Sequence, residues 1–484
     1  MRQDEERRQE EKEIIANLKV FFREESPFDH ADKSTFLSPY RILCNNTMSL
    51  KSKNLSALVF LILISVILRI PGFFLSHSSN DELIHTGLAL KIDKYGAGVF
   101  RGRYNLYNID INPKNKLLNL SLTGKEIGKL VSSFGYWESH TLSHHPPLFS
   151  AFLALSHRVF ARNKPYFLAD SLLGTRDIPY QFYAGIVPFL FSILLIIATY
   201  LLGKILFNQE LGLLSALLFS VTPVELLTSQ KIWADDMASF FAILAVIFYF
   251  YGLKNNKNVF SCLSGISCGL SVLTKMNGYF IAVAIIIFHL WQNKRRLLSR
   301  NIVDVLIDRS MLLFIFFLVL TSGSWFYLYM KTFDIGGFFV PLLPANASNL
   351  PEGFMKLVFI RPWYTYLVTV PSQLPVYFLV YPAALYLFRE NKKELQFLFI
   401  LLLVFLILLS IKSNKEERYM LPCYPAIAII SSYALSKLNS SFGAGKRAFF
   451  KGALMLLCIL SVWFSIRLGL YSVFTRADLF TFPL

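Results

Sequence analysis

Cysteine is scarce. The five in 484 residues are Cys44, Cys262, Cys268, Cys423 and Cys458. They are scattered, at least four lie in or beside apolar runs, and no pair has metal-ligand spacing. That excludes a zinc ribbon and a disulfide framework. Acid is short as well: 31 Asp and Glu stand against 48 Lys and Arg, a net charge of +17. In a soluble protein this balance would point to nucleic acid, yet the chain has no RNP motif, no zinc finger and no basic helix with base-reading side chains. Stretches of about ten residues in strict apolar–polar alternation, the mark of a transmembrane β-barrel, are missing. No cleavable signal peptide is expected from the charged N-terminus and the length of the first apolar run. Finally, the long apolar runs hold almost no internal charge, whereas ion-coupled transporters need ionisable groups near the bilayer midplane.

What the chain has is apolar residues, 54% of it, with 46 Phe and 23 Tyr. They gather in runs of about 18–22 residues, enough as helices to cross a hydrocarbon core of about 30 Å. Lipid offers no hydrogen-bond partners, so each run must satisfy its own backbone, which a helix does. The expected fold is therefore an all-α polytopic integral membrane protein with about eleven transmembrane helices. Residues 1–53 read as a polar cytoplasmic tail and 54–475 as the transmembrane domain. Residues 476–484 read as a short C-terminal tail, with no soluble C-terminal domain. Spans are expected near 55–75, 182–206, 211–228, 236–253, 259–275, 277–292, 310–331, 371–388, 395–411, 419–436 and 449–471. Between the first two lies a long first outer loop, 76–180. Its stretches DELIHTGLALKI and HPPLFSAFLALSHRVF read as helices lying at the membrane surface.

Placing the N-terminus inside and alternating puts fifteen Lys and Arg in the short inner loops, with a cluster from Lys294 to Arg309, against nine in the short outer segments. The bias has the sign that orientation by positive charge requires. It would reverse for every later loop if HPPLFSAFLALSHRVF crossed the bilayer, which is why that stretch is laid flat.

With the spans set, the polar residues fall on the outer side. Asp81 and Glu82 follow the first span. His140, His144 and His145 lie in the long loop, and Asp235 and Asp236 stand at the mouth of a span. Lys275 sits between two spans, Arg361 in a Pro- and aromatic-rich loop, and Lys415-Glu416-Glu417-Arg418 enters another span. Carboxylates and cations brought to one depth by several spans are the materials of an active site. Arg69, near the outer end of the first span, reads as a snorkelling or structural residue.

Six segments, in chain order, resemble those of the GT-C membrane glycosyltransferases, and within them the protein mannosyltransferase and aminoarabinose transferase group. SSNDELIHTGLALKI is similar to the Asp-Glu pair and helix of their first outer loop, and HHPPLFSAFLAL to their Pro-Pro-Leu segment. IWADDMASFF and GISCGLSVLTKMNG resemble their Trp-Ala-Asp and Leu-Thr-Lys segments. IRPWYTYLVTVPSQLP and KEERYMLPCYPAIAI resemble their Arg-Pro-Trp-Tyr and Glu-Arg-Tyr segments. The resemblance implies an inverting transfer of a sugar from a dolichyl- or undecaprenyl-type polyprenyl-phosphate donor. The acceptor would be a hydroxyl on a protein, lipid or glycan at the outer face.

It implies Asp81 as general base, with Asp235, preferred over Asp236, as the second carboxylate. Glu82, Asp236 and His145 would support them, and Lys275, Arg418, Arg361 and Lys415 would bind the lipid phosphate. The chemistry suits these types: a carboxylate takes the proton of a weak hydroxyl nucleophile, and cations stabilise a leaving phosphate. Each residue also has a plainer reading: Asp81 and Asp235 as helix caps, Lys275 as a snorkelling lysine, Arg418 as the ion-pair partner of Glu416 or Glu417. No cofactor is firmly implied; the three histidines with Asp81 are metal-capable types, but their spacing does not call for a divalent ion. The alternatives are a transporter or flippase of lipid-linked sugars and a non-catalytic membrane subunit. The expected location is a prokaryotic plasma membrane.

Overall fold

The structure is a computed structural model of the chain, and it describes residues 52–70, 80–96, 146–161, 182–294, 308–339, 362–387, 392–411 and 415–441, with single positions at 390, 452, 456, 459, 460 and 463. The expected N-terminal tail, the histidines His140, His144 and His145, Arg361 and nearly all of the expected last span lie outside the described residues. The chain divides into two units, Met1–Val59 and Phe60–Leu484. Of the first, the described part is the opening of helix α1.

Every regular element among the described residues is helical. After α1 (Ser52–Arg69) come two helices of the long loop, α2 (Asn80–Tyr95) and α3 (Pro147–Phe160). Then follow α4 (Phe182–Leu206), α5 (Gln209–Ser220), α6 (Pro223–Ser229), α7 (Asp235–Asn255), α8 (Asn258–Thr274), α9 (Tyr279–Gln292) and α10 (Arg309–Phe339). The last group is α11 (Thr365–Gln373), α12 (Val380–Leu387), α13 (Lys393–Ile411) and α14 (Tyr424–Ser441). The all-α polytopic membrane fold is thus present, with both loop helices where the sequence puts them.

Among the described residues, four helices are long and apolar enough to cross a membrane by themselves: Phe182–Leu206, Asp235–Asn255, Arg309–Tyr327 and Lys393–Ile411. The exposed face of α10 shows Leu312, Phe316, Val319 and Leu320, a surface suited to lipid rather than water. Shorter apolar helices stand at several of the other expected spans, and three of those spans differ from an unbroken helix. The 211–228 span is α5 and α6, bent by 67° at Val221 and Thr222. Pro223 opens α6, and its missing N–H cannot continue the ladder of α5. The 371–388 span enters through a 3-10 helix, Pro375–Leu379, before α12. The 419–436 span begins as a 3-10 helix, Glu417–Cys423, and becomes α-helical at Tyr424. There Pro422 removes a donor and disfavours α geometry in the residue before it.

Packing in this chain is close where side chains vanish. Gly265 and Gly269, one turn apart on α8, face α10, and a Cβ on Gly269 would lie 2.6 Å from the Cβ of Thr321. Small residues at this spacing let two backbones approach in a membrane. On another face, Ser264 and Ser271 of α8 donate to the carbonyls of Ala245 and Ala238 of α7, each at 2.8 Å. Cys268 is buried on the same helix, 3.8 Å from the Gly278 carbonyl.

The two loop helices pack together. Ala89 of α2, Phe149 and Leu153 of α3, Tyr183 and Val187 of α4 and Met237 of α7 share one apolar cluster. Arg158 of α3 bonds the Asp93 carboxylate of α2 and, at 3.1 Å, its carbonyl. This clip ties the last turn of α2 to the last turn of α3.

Candidate active site

Four chain segments end at one place. α2 starts there with Asp81, α7 starts there with Asp235, α8 stops there one residue before Lys275, and the 3-10 helix Glu417–Cys423 supplies Arg418. α7 is about 30 Å long at 1.5 Å per residue, so Lys254 in its last turn lies near the far end.

Arg418 is the hub. Its Nη2 donates to Asp81 Oδ2 at 2.5 Å and its Nε to Glu416 Oε2 at 2.5 Å. Its Nη1 lies 3.9 Å from Asp235 Oδ2, an electrostatic contact too long for a hydrogen bond. The guanidinium carbon sits 4.1 Å from the centroid of Trp233 and 5.6 Å from that of Tyr419, a cation held against aromatic faces. Burial would lower the pKa of this group, but the carboxylates of Asp81, Glu416 and Asp235 reverse the effect and hold it well above the usual arginine range. Glu416 is in turn bonded by the Tyr419 hydroxyl at 2.8 Å.

Lys275 completes the set. The chain leaves α8 at Thr274 and Lys275 is extended, with φ −155° and ψ 138°. Its Nζ reaches Asp235 Oδ1 at 2.6 Å and lies 4.9 Å from the centroid of Tyr419. Asp235 itself is buried, whereas the Asp81 side chain keeps 35% of its surface exposed and Lys275 keeps 23%. An accessible carboxylate, Asp81, therefore stands beside Arg418, which shares Asp235 and the Tyr419 ring with Lys275. Such a place suits a phosphate-bearing sugar and a hydroxyl that must lose its proton.

The paired aspartates have separate surroundings. Asp235 faces both cations, while Asp236 turns inward to the Thr228 hydroxyl at 3.3 Å. Asp236 is fully buried and its other carboxylate oxygen has no hydrogen-bond partner among the described residues. Glu82 is buried, and its Oε1 accepts the backbone N–H of Ile232 at 3.1 Å and braces the turn before Asp235. Lys415 is buried beside the cluster in sequence, and desolvation lowers its pKa. Asp81 lies inside the first turn of α2 rather than before it, and Arg418 has both its plainer partner, Glu416, and Asp81.

Sequence reasoning missed His85, which is one turn after Asp81, buried, 3.4 Å from the Ser150 hydroxyl and edge-on to Phe149. Burial is the largest influence on it. Asp81 raises its pKa while Lys275 and Arg418 lower it, and the result is about 4. The imidazole is therefore neutral near pH 7. Its position four residues from Asp81 on a helix is the signal that would have found it. A second surprise is a buried ion pair below the site. Arg69 bonds the Glu225 carboxylate, and donates to Ser192 Oγ at 2.6 Å, Ser65 O at 2.7 Å and Ser220 O at 3.2 Å. It does not snorkel; it fills the break between α5 and α6. Among the described residues no three His, Cys, Asp or Glu side chains are arranged to hold a metal ion.

Comparison with known proteins gives this geometry a setting. The sequence model of the dolichyl-phosphate-mannose-protein mannosyltransferase family matches residues 124–336, a stretch that includes Asp235 and Lys275 but not Asp81 or Arg418. The fold is similar to that of ArnT from Cupriavidus metallidurans bound to undecaprenyl phosphate. There the TM-score is 0.53 and the identity 12%, over 86% of this chain and 72% of that one. It is also similar to the Archaeoglobus fulgidus oligosaccharyltransferase AglB in complex with an inhibitory peptide and a dolichol-phosphate. That TM-score is 0.54 and the identity 15%, over 86% of this chain and 55% of that one. An uncharacterized protein of Aquifex aeolicus is 23% identical over 268 residues, which are 55% of this chain and half of that protein. The chain is a multi-pass membrane protein with the GT-C glycosyltransferase fold, and over residues 124–336 it matches the protein mannosyltransferase family.

Proposed function

We propose that the protein transfers a sugar from a polyprenyl-phosphate donor to an acceptor hydroxyl at the outer face of the membrane, with inversion. The observation that carries this reading is the convergence of Asp81, Asp235, Lys275 and Arg418 from four separate segments onto one spot. The acceptor oxygen attacks the anomeric carbon and its proton passes to the Asp81 carboxylate. The bond from that carbon to the phosphate oxygen breaks, and polyprenyl phosphate departs with the electron pair, its charge met by Arg418 and Lys275. A single displacement from the far side of the ring inverts the carbon. Neighbours of the same fold that hold undecaprenyl phosphate and dolichol-phosphate support a lipid-linked donor. The test is incubation of the purified protein with a panel of polyprenyl-phosphate sugars, scoring free polyprenyl phosphate. Release that depends on an acceptor supports transfer, and its absence for every donor and acceptor overturns it.

One observation favours a second reading, a translocator of lipid-linked sugars: the span broken by 67°, with the buried Arg69–Glu225 pair in its break, has the form of a transporter's discontinuous helix. The same panel in proteoliposomes separates the two. A translocator moves the intact donor between leaflets and releases no polyprenyl phosphate.

A further inference from the structure

Two halves of the site hang on different parts of the chain. Trp233 and Asp235 follow the broken span, and Arg418 belongs to the 3-10 helix Glu417–Cys423. Between them lies Gln373, the last residue of α11, buried at 7% exposure. Its Oε1 accepts the backbone N–H of Val224, at the start of α6, at 2.8 Å. Its Nε2 donates to Glu417 Oε2, also at 2.8 Å. The partners dictate the amide's orientation, because Val224 N–H can only donate and a carboxylate can only accept.

We infer that Gln373 is a positioning residue for Arg418, its carboxamide tying the start of α6 to the residue that precedes Arg418 and so holding the two halves of the site in register. Three observations support this. Val224 N–H is one of the orphan donors of a helix start, and the residue that would ordinarily cap it does not: the Thr222 side chain makes no cap bond and instead engages Leu218 O and the Tyr377 hydroxyl. The bridge is reinforced on both sides, by Tyr377 to Thr222 at 2.7 Å and by Tyr366 to the Glu416 carbonyl at 3.1 Å. And α6 is itself bonded toward the site, since its Thr228 hydroxyl meets Asp236. A side chain here must accept on one side and donate on the other at the reach of a glutamine. Glutamate would set two carboxylates against each other, and an apolar residue would strip the buried Val224 N–H of its acceptor.

The role assigned to Gln373 in turnover rests on the transferase reading; its effect on the position of Arg418 does not. The experiment is a swap. Gln373→Glu, Glu417→Gln and the double variant are purified, and two quantities are read. The first is the Trp233 contribution to intrinsic fluorescence, taken as the difference between each protein and its Trp233→Phe counterpart, which reports the guanidinium stacked on that indole. The second is release of polyprenyl phosphate from a donor. Gln373→Glu is expected to shift the Trp233 component and to lower kcat/KM for the donor roughly ten- to a hundredfold, the scale of a small misplacement. The double variant restores the donor–acceptor pair with its polarity reversed and is expected to recover both. Glu417→Gln keeps an acceptor for Gln373 and stays close to the parent.

If Gln373→Glu does not fold, a double variant that folds with the parental Trp233 component is itself the rescue. The inference is overturned if Gln373→Glu leaves the Trp233 component unchanged, or if the double variant is no better than the single. Should no donor be turned over by the parent protein, the transferase reading falls and the fluorescence arm alone decides the positioning role.

Discussion

Arg418 bonds Asp81 across 337 positions of sequence, Nη2 to Oδ2 at 2.5 Å, and the same guanidinium lies 3.9 Å from Asp235. One cation thus joins the start of α2 to the start of α7, and most of the expected behaviour of the site turns on it.

Asp81→Asn keeps the size and most of the hydrogen bonding of the side chain but cannot take a proton. Loss of a general base costs about 10²–10⁴ in rate, so sugar transfer should nearly vanish while donor binding persists. A helix cap would behave differently, because Asn caps about as well as Asp. Transfer and donor binding measured on the same preparation decide it, and an active variant removes Asp81 from the chemistry.

The two adjacent aspartates should separate. Asp235 holds Lys275 and faces Arg418, whereas Asp236 faces Thr228. Asp235→Asn is expected to depress kcat strongly, and Asp236→Asn to keep most of the activity. Equal losses in the two initial-rate assays would show that the pair works as a unit.

Lys275→Ala and Arg418→Ala should each weaken use of the donor. Removing a charge-assisted bond to phosphate costs on the order of 1.5–3 kcal/mol, roughly ten- to a hundredfold. Titration with polyprenyl phosphate alone reads this without the acceptor, and parental affinity in both variants would contradict it.

His85 predicts a pH effect on stability. Its pKa is about 4 in the folded protein against an ordinary 6.5, so between those values the unfolded chain binds the extra proton. Stability should therefore fall as pH drops from about 6.5 to 4, by on the order of 3 kcal/mol at the limit. His85→Gln should flatten that part of the curve. Thermal midpoints of the two proteins across this range give the comparison, and parallel curves would rule the imidazole out as the source.

Orientation is open to direct labelling. From the charge bias, the N-terminus and residues 293–309 are expected in the cytoplasm and residues 76–180 outside. A cysteine at 115 should react with an impermeant reagent added to intact cells and one at 297 should not. The reverse pattern would move the site to the other face.

Much of the site was legible before the fold was known, because of where the charged residues stand. Asp81, Asp235, Lys275 and Arg418 sit at the edges of apolar runs, and a membrane leaves few other places for charge. The preference for Asp235 over Asp236 comes from the family resemblance, and it is Asp235 that lies against the cations. Other features were not legible. Trp233 is an ordinary aromatic until Arg418 lies on it. Glu82 belongs to the same Asp-Glu pair as Asp81, yet its oxygen is spent on the Ile232 backbone. Arg69 and Glu225 are 156 residues apart, and each alone reads as an unpaired charge at a span's edge. The breaks in three spans were signalled by Pro223, Pro375 and Pro422, but hydropathy averages over a proline and reports one continuous run.

The stacking of Arg418 on Trp233 has a consequence for turnover. One face is covered by the indole and the Nε–Nη2 edge is occupied by Glu416 and Asp81, which leaves Nη1, 3.9 Å from Asp235, as the end without a hydrogen bond among the described residues. On the transferase reading, an arriving phosphate would meet that open end first, and to engage Nη2 as well it would have to take it from Asp81, freeing that oxygen toward the acceptor. After transfer the same carboxylate would compete with the spent lipid phosphate for its donor, so that an internal ligand would help the product to leave.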